Sequence, residues 1–159
     1  MAQISKIIHP VRPYDLDKTC AFSSPFQGSN STDIYQSGKY IRTLRSDDQI
    51  VLVTVKEAGI KNAPHIKLNI EGQYISEKLV RDISLQVRSI LGLDLSVAKF
   101  YRMSSEDPVL GPITKKFTGL RPTKSPTVFE ALIQCIVSQQ IHTKVAREIC
   151  HLLVENLGE

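Results

Sequence analysis

"KYIRTLRSDDQIVLVTVKEAG", Lys39 to Gly59, carries the decision about the fold. Two β-rich runs, Tyr40 to Leu44 and Ile50 to Val55, flank Ser46-Asp47-Asp48-Gln49, whose short polar side chains bond their own backbone and suit a turn. The stretch therefore reads as a β-hairpin. Working outward, "HIKLNIEG" alternates Ile66, Leu68 and Ile70 with Lys67 and Asn69, the period of a strand with one buried and one wet face. In "SEKLVRDISLQVRSILGLD" the period changes. Leu79, Val80, Ile83, Val87, Ile90 and Leu91 recur at three- and four-residue steps, Ser76 can cap the start, and Gly92 can supply a left-handed C-terminal cap. An antiparallel sheet of at least three strands, covered on one side by an amphipathic helix, follows. Residues 1–104 are expected to form this α+β domain.

The rest of the N-terminal third is less regular. Short apolar runs with Pro10 and Pro13 suggest an early strand and an extended connection, and "SSPFQGSNSTD" suggests a loop or a capped helix start. The whole chain has 159 residues, 42% hydrophobic and 23% charged, which excludes an intrinsically disordered composition. No apolar run approaches the roughly 18 residues of a membrane span, and the first residues lack a secretory signal core. The expected location is cytoplasmic, nucleoid-associated in a prokaryote, or nuclear, with no membrane partner. Cys20, Cys135 and Cys150 are odd in number and lack C-x-x-C spacing, so reduced thiols are expected. The spacing of Cys135, His142, Cys150 and His151 fits no common zinc pattern, and neither a metal nor a cofactor is expected.

From Ser104 the composition shifts. "SSEDPVLGPITKKFTGLRPTKSPT" holds four prolines and two glycines and leads into two helical patterns, so residues 105–159 read as the start of a second, all-α unit. Pro126 suits a first turn, Thr127 and Glu130 have capping-box spacing, and Phe129, Leu132, Ile133, Ile136 and Val137 form an apolar stripe expected to be buried. A second helix runs from about Thr143, with Val145, Ile149, Leu152 and Leu153 on its apolar side. Two helices in so short a span cannot enclose their own core. They are expected to pack on the first domain, on another copy, or on further polypeptide of a longer protein.

Between these helices stands "SQQIHTKVAR", Ser138 to Arg147. Were the first helix unbroken, Gln140 would fall roughly 20° from Phe129 at the centre of the apolar stripe, where a glutamine conflicts with burial. Two readings follow. Either the glutamines satisfy backbone groups at the helix ends, or the turn projects Gln139 and Gln140 outward. In the second reading the N-terminus of the next helix, with Thr143, Lys144 and Arg147, suits a phosphate. Charge supports it: between Pro112 and Arg147 there are six basic residues (Lys115, Lys116, Arg121, Lys124, Lys144, Arg147) against one acid, Glu130, within a net charge of +4. Glu130 reads as a helix-start residue and Glu148 as a solvent-facing charge, so neither is assigned to catalysis.

Asp107 to Ala146, "DPVLGPITKKFTGLRPTKSPTVFEALIQCIVSQQIHTKVA", resembles the entry to the helix-hairpin-helix domain of the DNA-3-methyladenine glycosylase II family, through D-P-x-L-G-P, G-L-R-P, F-E-A-L and Q-Q-I in that order. "GKYIRTL" and "VRSILGLD" are similar to that family's N-terminal α+β domain, which is TATA-binding-protein-like. The resemblance implies a base-excision-repair enzyme that flips alkylated purines such as 3-methyladenine out of damaged double-stranded DNA and hydrolyses the N-glycosidic bond. It implies a wedge at the joint, at Gln140 with Gln139 or Ile141 beside it, phosphate contacts at Thr143, Lys144 and Arg147, and a base-pocket edge at Phe22 and Phe26. The family's catalytic aspartate, glycine-rich hairpin and most of its aromatic pocket lie beyond the two helices, so no catalytic residue is expected in this chain. It is expected to be inactive alone and to partner the C-terminal part of the same protein. An oxidised-guanine glycosylase of the same architecture and a non-enzymatic DNA-binding module are the alternatives.

Overall fold

A computed structural model describes residues 1–23, 33–60 and 63–158. The expected hairpin is β3 (Lys39–Ser46) and β4 (Gln49–Ile60), turning at Asp47-Asp48 with Asp47 at φ 52°, a positive value that short hairpin turns demand. β5 (Ala63–Gly72) pairs with β4, and β1 (Ala2–Ile8) pairs with β5, register Ile8 opposite Ile66. β2 (Ile34–Gln36) is added at the other edge, giving a five-stranded antiparallel sheet in the order β1-β5-β4-β3-β2. Alternation decides the faces. Val53, Val55, Ile66, Leu68 and Ile70 are fully buried on one face, while Lys56, Lys67 and Asn69 lie on the other.

The buried face is covered by α2 (Glu77–Ile90), which turns Leu79, Ile83, Val87 and Ile90 inward. Both expected caps are present. The Ser76 side chain accepts from Leu79 N–H, and Gly92, at φ 61°, closes a Schellman motif in which Gly92 N–H donates to Ser89 O and Leu93 N–H to Arg88 O. An added Cβ at Gly92 would meet Pro122 O at 3.1 Å. The extended connection expected before Phe22 is instead partly α1 (Leu16–Ser23), begun by Asp15, whose carboxylate accepts from Lys18 N–H. Leu16 and Cys20 join the core, and burial pushes the Cys20 thiol up to about 12. All three cysteines are free thiols.

The composition shift at Ser104 falls inside α3 (Ala98–Ser105), and the proline-rich stretch beyond it holds α4 (Leu110–Lys116). Pro112 is tolerated because it sits in the first turn, where its missing N–H has no helical partner. Asp107 starts this helix by accepting from Val109 and Leu110 N–H, bonds that hold its carboxyl below the usual range. Gly111 lets α4 approach the end of α3, where a Cβ would come within 3.3 Å of Ser104 O. α5 (Val128–Val137) and α6 (Thr143–Leu157) follow with the expected Thr127 cap. Among the described residues, no helix is long and apolar enough to cross a membrane.

Two expectations are corrected here. The α5 stripe is not buried: Phe129 is 74% and Ile136 62% exposed, Leu132 is exposed, and Ile133 and Val137 are only half-buried. On α6, Ala146 alone is buried. The reason is that α5 and α6 pack on each other and leave their outer apolar sides without a covering layer. Arg121 is also misplaced by charge counting. It is fully buried and belongs to the docking of the chain onto the α+β layer, not to a solvent-facing basic cluster.

Candidate nucleic-acid interface

The joint between α5 and α6 is a tight reversal. Ser138 caps α5, Gln139 N–H donates to Ile136 O at 3.2 Å, and Gln140 takes the left-handed conformation at φ 55°. A non-glycine residue there carries roughly 1 kcal/mol of backbone strain. Of the two readings of the glutamines, the capping one is not realised. Among the described residues, neither amide side chain makes a hydrogen bond, and both residues are exposed, as is Ile141. The caps come from other side chains. Thr127 Oγ1 accepts from Glu130 N–H at 3.1 Å, and His142 Nδ1 accepts from Lys144 N–H at 3.2 Å.

That second cap modifies the expectation of open N–H groups at the α6 N-terminus, since the His142 ring already occupies one of them. Thr143 and Lys144 are exposed beside it, and Arg147, one turn further, is half-buried. Lys115 and Lys116 are exposed at the C-terminal end of α4, where cations offset the helix dipole, and Lys124 is exposed in the connection to α5. Phe22 lies in α1 with its side chain outside the described part, and Phe26 lies outside the described residues. No group of three or more metal-ligating side chains occurs among the described residues.

What holds this joint in place was missed in the sequence. Glu130, read there as a helix-start residue, does have its N–H capped by Thr127, but its carboxylate reaches the sheet: Arg42 on β3 donates to it at 2.5 Å and to Asp33 at 2.8 Å. Gln134 Nε2 donates to the other Glu130 oxygen at 3.0 Å, and Ser125 Oγ donates to the Gln134 carbonyl, also at 3.0 Å. Burial opposes charge on Arg42, but the two carboxylates outweigh it and hold the guanidinium charged. The signal for this pair was a basic residue at an inward strand position, Arg42 between Tyr40 and Leu44. Arg42→Leu is expected to lower stability by about 2 kcal/mol, the cost of a broken buried pair reduced because both carboxylates keep solvent contact. Urea unfolding checks this, and a loss under 0.5 kcal/mol would show that the link contributes little.

No family model matches the chain. A DNA-3-methyladenine glycosylase of Bacillus subtilis (strain 168) is 37% identical over 67 residues, 42% of this chain and 22% of that protein. A 3-methyladenine DNA glycosylase from Archaeoglobus fulgidus superposes with a TM-score of 0.73 at 21% identity, over 98% of this chain and 50% of that one. The chain has the fold of half of a 3-methyladenine DNA glycosylase. It spans less than a quarter of the Bacillus protein's length in the matched region and half of the Archaeoglobus protein's. In this frame the D-P-x-L-G-P and G-L-R-P segments have structural roles: Asp107 starts α4, Gly111 admits it against α3, and Arg121 anchors the passage toward α5.

Proposed function

We propose that this chain is the N-terminal part of a base-excision-repair DNA glycosylase that removes alkylated purines such as 3-methyladenine. The observation that carries the reading is the α5–α6 joint: two unbonded glutamine side chains and Ile141 stand exposed on a left-handed turn, next to a helix N-terminus bearing Thr143 and Lys144. The similarity to proteins named for 3-methyladenine excision supports the substrate class.

In this reading Gln140, with Gln139 or Ile141 as neighbour, fills the gap left when the damaged nucleotide swings out of the stack, and Thr143, Lys144 and Arg147 hold the flanking phosphates. A glutamine amide in the gap offers a donor and an acceptor to the orphaned base, which an apolar plug cannot. Hydrolysis breaks the bond between the sugar C1′ and the base nitrogen; water supplies hydroxyl to the sugar and its remaining proton goes to solvent, because a purine alkylated on N3 is cationic in the nucleotide and departs as the neutral base. The groups that stabilise the developing positive charge on the sugar are assigned to further polypeptide of a longer protein, which also covers the exposed apolar sides of α5 and α6. Residues 1–104 and 105–159 then act as an α+β scaffold and the opening of the helical domain.

Two expected results test the residue assignments in the longer protein. Gln140→Ala should lower single-turnover excision roughly tenfold, about 1.4 kcal/mol, while changing initial DNA binding less than twofold. Gln140→Gly should show the same excision loss together with a small gain in stability, because it also relieves the positive φ. Excision at the wild-type rate in both variants would remove Gln140 from the wedge. Charge reversal at Lys144 and Arg147 should weaken duplex binding roughly tenfold or more at moderate salt and lower the salt slope by about 2. Unchanged binding at low salt would take both residues off the DNA face. Release of oxidised guanine without alkylated purine would shift the substrate class.

A further inference from the structure

The outer face of the sheet carries a feature that the α5–α6 joint does not use. The strand register sets Lys67 directly opposite Lys56, and Lys56 directly opposite Lys39, so three lysines lie in one row across β5, β4 and β3. With strands about 4.8 Å apart, the row spans roughly 10 Å. Like charges directly opposite each other destabilise a sheet, and here two such pairs are adjacent. Among the described residues nothing offsets them, since none of the three ammonium groups has an ion-pair partner there. The acids of β4 and β5 are committed elsewhere, Glu57 accepting from Leu16 N–H and Glu71 from the Gln3 amide. Beside the row, Thr54 and Asn69 stand opposite each other and complete a shallow concavity of about 130 Å³.

We infer that this lysine row is a second DNA-contact surface, binding the phosphate backbone of duplex DNA away from the α5–α6 joint. The geometry suits a line of anions better than a single one, because three cations spread over roughly 10 Å on long flexible side chains can each reach a different phosphate of the backbone. Thr54 and Asn69 add a hydroxyl and an amide as uncharged donors to phosphate oxygens. The concavity has no Phe or Tyr in its lining, so it lacks the stacking platform of single-strand binders and reads neither base identity nor damage. The choice of DNA among polyanions rests on the glycosylase reading. Arg42 ties α5 to the inward face of β3, so the lysine row faces the opposite way and engages a segment distinct from the one at the joint. Such a contact keeps the protein on undamaged DNA without specificity.

The test is fluorescence anisotropy of the full chain on undamaged duplex across a salt series, comparing wild type with the K39Q/K56Q/K67Q variant. We expect the salt slope of the variant to fall by between about 2 and 3, at about 0.9 per lost phosphate contact, with affinity roughly tenfold or more lower at moderate salt. Its melting temperature should be equal to or above that of wild type, since the repulsion within the row is removed. If the triple variant misfolds, K56Q alone should lower the slope by about 0.9. Wild-type binding with an unchanged slope in the variants overturns this proposal and leaves the glycosylase reading standing. No binding of duplex by wild type, even at low salt, also overturns this proposal, whereas the glycosylase reading stands or falls with excision by the complete polypeptide.

Discussion

Arg121→Ala is expected to lower the unfolding free energy by about 3 kcal/mol or more, because each buried carbonyl left without a donor costs about 1–3 kcal/mol. Arg121 is fully buried, and its guanidinium donates to Leu95 O at 3.1 Å, Leu120 O at 3.0 Å, Val11 O at 3.2 Å and Pro13 O at 2.6 Å. Its backbone N–H donates to Thr19 Oγ1 at 3.2 Å. The four carbonyls that accept from the guanidinium come from three separate stretches: the segment after β1, the segment between α2 and α3, and the approach to α5. One planar fork with five N–H donors can serve them all at fixed angles, whereas a lysine has three donors on a single atom. Arg121→Lys should therefore recover less than half of the loss. Urea unfolding followed by circular dichroism reads both variants, and a loss below 1 kcal/mol for Arg121→Ala would contradict the assignment of this residue as the anchor.

Gly119→Ala, two residues away, is expected to cost about 2–4 kcal/mol through a different cause. Gly119 has φ 94°, where L side chains are strained, and an added Cβ would sit 2.7 Å from Asp15 Cβ and 2.9 Å from Asp15 N. The close approach has a purpose. Asp15 N–H donates to Gly119 O at 3.0 Å, and Gly119 N–H donates to Tyr101 Oη at 3.0 Å, so this glycine joins α3 and the start of α1 through its own backbone. The losses at Gly119 and Arg121 should add to less than their sum, because both variants release the same docked segment. Thermal melting of the two single variants and the double variant measures this. A Gly119→Ala protein within 0.5 kcal/mol of wild type would mean that the segment shifts freely and is not held.

Local chemistry is what made parts of the fold readable. The β3–β4 hairpin, the Ser76 and Thr127 caps and the left-handed Gly92 each depend on side chains within a few residues of one another, and each stands where the sequence places it. α4 was not anticipated as a helix of its own: the four prolines of its stretch obscure it, although Pro112 occupies a helical position that needs no N–H. Arg121 was counted with the surface cations because charge arithmetic is blind to burial. The Arg42–Glu130 pair and the lysine row depend on partners far apart in sequence, set by strand register and by the seating of α5. At the joint, the glutamine at the centre of an apolar stripe left two readings open, capping side chains or an outward turn; the end of α5 at Val137 and the exposed Gln139 and Gln140 agree with the second. The buried stripe was not realised, since periodicity shows which side of a helix seeks cover and not whether the neighbouring layer is there.

A glycosylase assay on methylated duplex DNA, run on the 159-residue chain beside the polypeptide of its complete reading frame, tests whether this chain is part of an alkylpurine glycosylase. Release of 3-methyladenine and formation of an abasic site are expected from the complete polypeptide and not from the 159-residue chain. Failure of the complete polypeptide to release any alkylated purine would contradict the proposed function, and excision by the 159-residue chain would place the catalytic group among residues assigned here to structure.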